Sequence, residues 1–171
     1  LHPKTIALGL DRVDQVKRQL QLDPTFKIIA VGGTNGKGST CAMLESILNI
    51  AGYRTGLYTS PHLLRYNERV RLDREAVSDA ALCAAFEVVE NARGDVPLTY
   101  FEFGTLAAVW LFVHERVDVA ILEVGLGGRL DAVNAFDSHC AIVTSIGLDH
   151  TEYLGKTLDS IGREKAGIYR S

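Results

Sequence analysis

A chain of 171 residues, 47% apolar and 23% charged, has the size and composition of one soluble globular core. A net charge of -3 and a pI near 6.0 supply no basic field, which argues against a nucleic-acid partner. The longest apolar run, Tyr100 to Val113 broken by Glu102, falls short of the roughly 20 residues a bilayer crossing needs, and no export signal opens the chain. No membrane partner and a cytoplasmic location are therefore expected.

Leu10, Val13, Val16 and Leu20 recur at helical spacing and predict an amphipathic helix before the first strand, Lys27 to Val31. The stretch "AVGGTNGKGST" follows, an apolar strand entering a bare turn. From Lys37 to about Ala51, Leu44, Ile47, Leu48 and Ala51 keep the helical period, and Gly52 supplies a stop. Arg54 to Thr59 predicts a short second strand. Ser60 to Glu75 is polar and reads as a long exposed loop with a hairpin around Val70. Helices fit Ser78 to Asn91 and Thr99 to His114. "VDVAILEVG" and "CAIVTSIG" are apolar runs bounded by glycine, the pattern of strands buried on both faces of a parallel sheet. A short helical pattern runs on from Thr157. Strands alternating with helices predict an α/β fold, a doubly wound and mostly parallel sheet with a phosphate loop.

Cys41, Cys83 and Cys140 lie far apart and odd in number, and read as small core residues of a reducing compartment. A chain that opens on Leu1 and stops at Ser171, just past a helical pattern, reads as a portion of something longer.

A strand, a glycine-rich turn and a helix starting at a lysine suit a phosphate. Backbone N–H groups point into the loop, the helix N-terminus is partly positive, and side chains must be absent for an anion to approach. Gly33, Gly36 and Gly38 supply the bareness, Lys37 a full charge, and Ser39 or Thr40 a hydroxyl. The common pattern wants glycine where Val31 stands and serine where Gly38 stands. Other polar residues fall at strand ends, where open α/β sheets bind ligands: Ser60, Glu123, Asp149 and His150. Glu123, inside an otherwise apolar run, requires a compensating cation or donor. Arg129 or a backbone cap would satisfy it, as would a magnesium ion beside the phosphate loop. Taken alone, His150 reads as a structural histidine. In "GLGGRLDAVN" the glycines would let a ligand approach, with Arg129 and Asp131 to fix it; a flexible connection is the alternative. Thr99 and Glu102 of "TYFE" form a helix capping box. By periodicity Lys165 is a solvated helix charge.

"GTNGKGST", "TSPHLLRYNERV", "TYFEFGT", "EVGLGGRLDAVN", "SIGLDHTEYLG" and "EKAGI" resemble, in order, the signatures of the folylpolyglutamate synthase and dihydrofolate synthase branch of the Mur ligase superfamily, and the opening "HPKTIALGLDRV" is similar to its start. The resemblance implies ATP-dependent ligation of L-glutamate to dihydropteroate or a folate through an acyl phosphate. It implies that Thr34, Asn35, Gly36, Lys37, Gly38, Ser39 and Thr40 hold the ATP phosphates. Ser60, Glu123 and His150 would hold magnesium, joined by Lys165 as a carbamate. It assigns Thr99, Tyr100, Phe101 and Glu102, with Leu130, Asp131 and Ala132, to the pterin substrate, and Lys37, Glu123, His150 and Lys165 to catalysis. Residues 1–171 would be the N-terminal part of the ATP-binding central domain of a monomeric enzyme, without its C-terminal domain. A Mur ligase acting on cell-wall precursors and a nucleotide-binding module without ligase activity are the alternatives.

Overall fold

The computed structural model describes residues 6–170, so the first four residues of "HPKTIALGLDRV" lie outside the described residues. Strand β1 (Lys27–Gly32) sends Ile28 and Ala30 to one face and Ile29 and Val31 to the other, and both faces are covered. Strand β5 (Val119–Glu123) does the same with Ala120 and Leu122 against Ile121. Such double burial is why these runs are apolar throughout rather than alternating.

Strands β2 (Thr55–Tyr58), β3 (Val70–Leu72), β4 (Glu75–Ala76) and β6 (Cys140–Val143) complete one sheet of order β4-β3-β2-β5-β1-β6. The four strands β2, β5, β1 and β6 are parallel, and the β3–β4 hairpin adds an antiparallel edge. The doubly wound, mostly parallel sheet and the hairpin near Val70 are as expected.

Helices α1 (Asp11–Gln19), α3 (Asp79–Arg93) and α4 (Tyr100–His114) pack together on one face. Ser78 caps α3 through its hydroxyl, and Thr99 and Glu102 form the reciprocal capping box of α4. Helix α2 (Lys37–Ile50) covers the other face with Leu44 and Leu48. Its Ile47 and Ile50 are 64% and 79% exposed, whereas Glu45 is buried and paired with Arg71 at 3.1 Å. The helical period was right, but Ile47 and Ala51 do not share the packed face. Helix α6 (Leu158–Ala166) follows a one-turn helix, α5 (Thr151–Leu154).

Two expectations need correcting. Only Cys41 is a core cysteine, its thiol pushed up to about 12 mainly by burial; Cys83 and Cys140 are exposed. The segment from Ser60 is not wholly exposed, since Arg69 and Val70 close it against the core. Among the described residues no helix is long and apolar enough to cross a membrane.

Candidate active site

Every parallel strand delivers its C-terminal end to the same edge of the sheet. β1 runs into the glycine loop, where Gly33 has φ +144° and a Cβ there would collide with the Thr144 hydroxyl. Gly36 takes the left-handed conformation that starts α2. The loop is pinned to the segment after β6. Thr34 N–H donates to Ser145 O at 2.8 Å, Asn35 N–H to Ser145 Oγ at 3.0 Å, and Thr144 Oγ1 to Asn35 O at 2.7 Å. Thr34 Oγ1 also accepts Gly147 N–H at 3.0 Å, which carries the following Asp149 and His150 towards the loop. Lys37 arches over its own turn and donates from Nζ to the carbonyls of Gly33 and Thr34 at 3.1 and 3.3 Å.

Register places Glu123 opposite Val31, the residue that enters the loop. Burial raises the pKa of the Glu123 carboxyl, against the opposing pull of the Ser60 N–H and the Lys37 charge. The Ser60 N–H donates to Glu123 Oε2 at 3.0 Å. Arg129 is therefore not its partner; that side chain pairs with Glu164 at 2.9 Å. Glu123 has no ion pair among the described residues. A buried acid with one N–H and a neighbouring phosphate loop is a fitting oxygen ligand for a hard cation.

A cavity of about 410 Å³ joins most of the remaining candidates. Lys37, Ser60 and His150 line it together with Thr99, Tyr100, Phe101, Glu102, Leu130, Asp131 and Ala132. A second cavity of about 380 Å³ adjoins it through Ser60 and Pro61 and is lined by Gly36, Gly38, Ser39 and Glu123. The "TYFE" segment is thus both cap and wall. His150 is half-exposed, in the left-handed region with φ +48°, and its Nε2 lies 3.7 Å from Asp149 Oδ2, so it is no core histidine.

Asp131 is buried, and burial pushes its carboxyl up to about 7 against three opposing N–H bonds. Val133 N–H donates to Oδ1 at 3.0 Å, and Gly125 and Leu126 N–H to Oδ2 at 3.1 and 2.9 Å. Three of its roughly four acceptor positions are filled, which leaves one on Oδ1 for a ligand donor. Of the glycines of "GLGGRLDAVN", Gly125 lines the cavity, whereas Gly128 serves packing. A Cβ at Gly128 would meet the carbonyls of Glu164 and Lys165, so the turn exists to let α6 pack closely.

That packing overturns the solvated reading of Lys165. It is only 4% exposed, and burial followed by the Lys37 charge lowers its pKa, with Asp149 opposing. Lys165 forms no salt bridge among the described residues. No three His, Cys, Asp or Glu side chains gather as a ready-made metal site among the described residues.

Sequence reasoning missed three contributors. Ile6, Ala7 and Leu8 line the cavity. Arg12 holds them there, donating to Ala7 O at 2.6 Å while its Nε and Nη2 reach Glu102 at 3.2 and 2.6 Å. Arg69, at the end of the short 3-10 turn before β3, lines the same cavity. A partner 90 residues away, as Glu102 is from Arg12, leaves no mark in local periodicity.

Residues 31–171 match the Mur ligase middle domain model. The dihydrofolate synthase/folylpolyglutamate synthase of Escherichia coli strain K12 is 59% identical over 172 residues, which is 100% of this chain and 41% of the relative. The folylpolyglutamate synthase of Arabidopsis thaliana is 47% identical over 85% of this chain and 27% of its own length. Among solved structures, Escherichia coli FolC in complex with DHPP and ADP superposes with a TM-score of 0.98 at 59% identity, covering 100% of this chain and 42% of that one. The Yersinia pestis bifunctional synthase complexed with AMPPNP and Mn ion gives a TM-score of 0.94 at 57% identity over 100% of this chain and 42% of that one. The phosphate loop, the strand-end acid and the matched residues together make this chain a member of the Mur ligase middle domain family.

Proposed function

We propose that this chain is the N-terminal, ATP-binding part of the central domain of a cytoplasmic, monomeric ligase. That enzyme joins L-glutamate to dihydropteroate or a folate. One observation carries the proposal: Lys37, Ser60 and His150 share a cavity with an apolar slot of Phe101, Leu130 and Ala132 and with buried Asp131. A flat, partly polar ring in that slot would present its tail to the phosphate loop. Relatives add support, since the Escherichia coli protein is described with DHPP and ADP and another with Mn, AMPPNP and L-glutamate.

A carboxylate resists an amine because its charge makes it a poor electrophile. Activation forms a bond from a carboxylate oxygen to the γ-phosphorus of ATP and breaks the bond to the bridging oxygen, releasing ADP. The free amine of glutamate then attacks the carbonyl carbon, the bond to phosphate breaks with its electron pair, and a proton leaves the nitrogen. In the first step two anions must meet. The N–H groups of residues 36–39 at the N-terminus of α2 hold the phosphates, and Lys37 Nζ swings from its own loop carbonyls to neutralise them. Ser60, Glu123 and His150 would hold a magnesium ion, which supplies charge neutralisation on the phosphates. A carbamate on buried Lys165 would turn an unpaired cation into an anion facing Lys37. Asp131 would accept a ring N–H of the pterin through Oδ1. The rest of the central domain and the C-terminal domain would contribute to nucleotide and glutamate binding.

The intact protein, supplied with ATP, magnesium, glutamate and dihydropteroate, tests the proposal. Phosphate release should rise with dihydropteroate and stay flat without it. Release that depends instead on a cell-wall precursor, or on no acceptor at all, would refute it.

A further inference from the structure

Among the arginines, Arg69 stands apart. It is only 9% exposed and makes no salt bridge among the described residues, whereas Arg12 and Arg71 have carboxylate partners in Glu102 and Glu45. An uncompensated buried cation is destabilising, so such a position is retained where an anion arrives. We propose that Arg69 is the fork that grips the carboxylate of the acceptor substrate while it is activated, an inference that rests on the ligase reading above.

The side chain is oriented in advance. Its Nε donates to His62 Nδ1 at 2.8 Å, and among the described residues the four N–H groups of the two Nη atoms have no partner, which leaves them for a ligand. The guanidinium carbon lies 5.4 Å from the ring centre of Tyr66 and 5.3 Å from that of Tyr100, and these rings meet edge-on. Two aromatic contacts and one hydrogen bond fix the plane of the fork, the arrangement that makes a bidentate carboxylate contact specific. The supporting loop is equally set. Glu68 accepts the N–H groups of Leu63, Leu64 and Arg65 at 2.7, 2.9 and 2.7 Å, and Asn67 Nδ2 donates to Val77 O at 2.8 Å.

Position selects the acceptor over the nucleotide. Arg69 lines the cavity that also holds Asp131 and is absent from the adjoining one that holds Gly38, Ser39 and Glu123. The phosphates have the α2 N-terminus, whose Gly36, Gly38 and Ser39 line the adjoining cavity, and Lys37 reaches from there into the cavity of Arg69. Arg69 lies against Tyr100, which lines the same cavity as Asp131, so a ring bound at Asp131 would have its tail within the cavity that Arg69 enters.

The test titrates the intact ligase, without ATP, with dihydropteroate and with its carboxamide, and separately with AMP-PNP. Wild type should prefer the acid. Arg69→Gln should weaken the acid about 10- to 100-fold and the carboxamide less than about 2-fold, with AMP-PNP unchanged. Arg69→Lys keeps the charge but not the fork, and should weaken the acid about 5-fold or more, so the inference stays testable even where the glutamine variant does not fold. His62→Ala, which frees Nε, should also narrow the preference for the acid. Equal losses for acid and carboxamide, an undiminished preference for the acid in Arg69→Lys, or a loss confined to AMP-PNP would overturn the role of Arg69. Wild-type protein that binds neither pterin compound would instead refute the ligase reading itself.

Discussion

Ser60 donates its backbone N–H to Glu123 Oε2 at 3.0 Å, joining the segment that leaves β2 to the last residue of β5 beside the phosphate loop. The bond holds the carboxylate without neutralising it. Glu123→Gln keeps an oxygen for the Ser60 N–H and removes a desolvated charge. Thermal melting should therefore occur at or above the wild-type temperature, while magnesium-dependent phosphate release falls by about 100-fold or more. Normal turnover in a folded variant would remove Glu123 from the site.

Gly33 is held at φ +144° against Thr144. Gly33→Ala should push the loop off its Thr144 and Ser145 anchors. The expected cost is about 1–3 kcal/mol in denaturant unfolding and a weakened affinity for AMP-PNP in calorimetry. Thr144→Ala removes the obstructing hydroxyl, so the double variant should recover part of both losses.

Arg12 bridges Ala7 and Glu102 and so ties the cavity's Ile6–Leu8 wall to the cap of α4. Arg12→Ala leaves Glu102 buried with a charge and only the Thr99 N–H to meet it. We expect about 3 kcal/mol of lost stability and a raised KM for the pterin substrate, with the KM for ATP little changed. Steady-state kinetics with each substrate varied in turn checks the split.

Much of this was legible in the sequence, and the exceptions share a cause. The buried strands, the glycine loop and the α4 cap are local patterns, and each lies where periodicity or capping chemistry put it. Lys165, Arg12 and Arg69 were not legible bottom-up, because their burial comes from contacts made by other elements. A lysine in "GREKAGI" looks solvated until Gly128 admits α6 against the turn. Cys83 and Cys140 show the converse, since small apolar residues give no local sign of facing solvent.

Asp131 gives a pH signature. Burial raises its carboxyl from the ordinary 3.8 to about 7, so the protonated form is favoured by folding. Its contribution to stability is complete below about 3.8 and is lost as pH rises through about 7. Chemical denaturation at pH 5 and pH 8 should show this decline, at up to about 1.4 kcal/mol per pH unit across the window. Asp131→Asn should be less stable overall, having fewer acceptors for three N–H donors, but its profile should be flatter. A wild-type profile that rises between those pH values would contradict the assignment.

In the proposed enzyme, phosphate loop and strand-end acid meet around one cation. Crystals of the intact protein grown with AMP-PNP and manganese, with anomalous scattering recorded at the manganese edge, test it most directly. We predict a peak within about 2.2 Å of oxygens from Ser60 and Glu123, with Lys37 Nζ on the nucleotide's phosphates. Manganese bound to the nucleotide with Glu123 still holding only the Ser60 N–H, away from the ion, would contradict it.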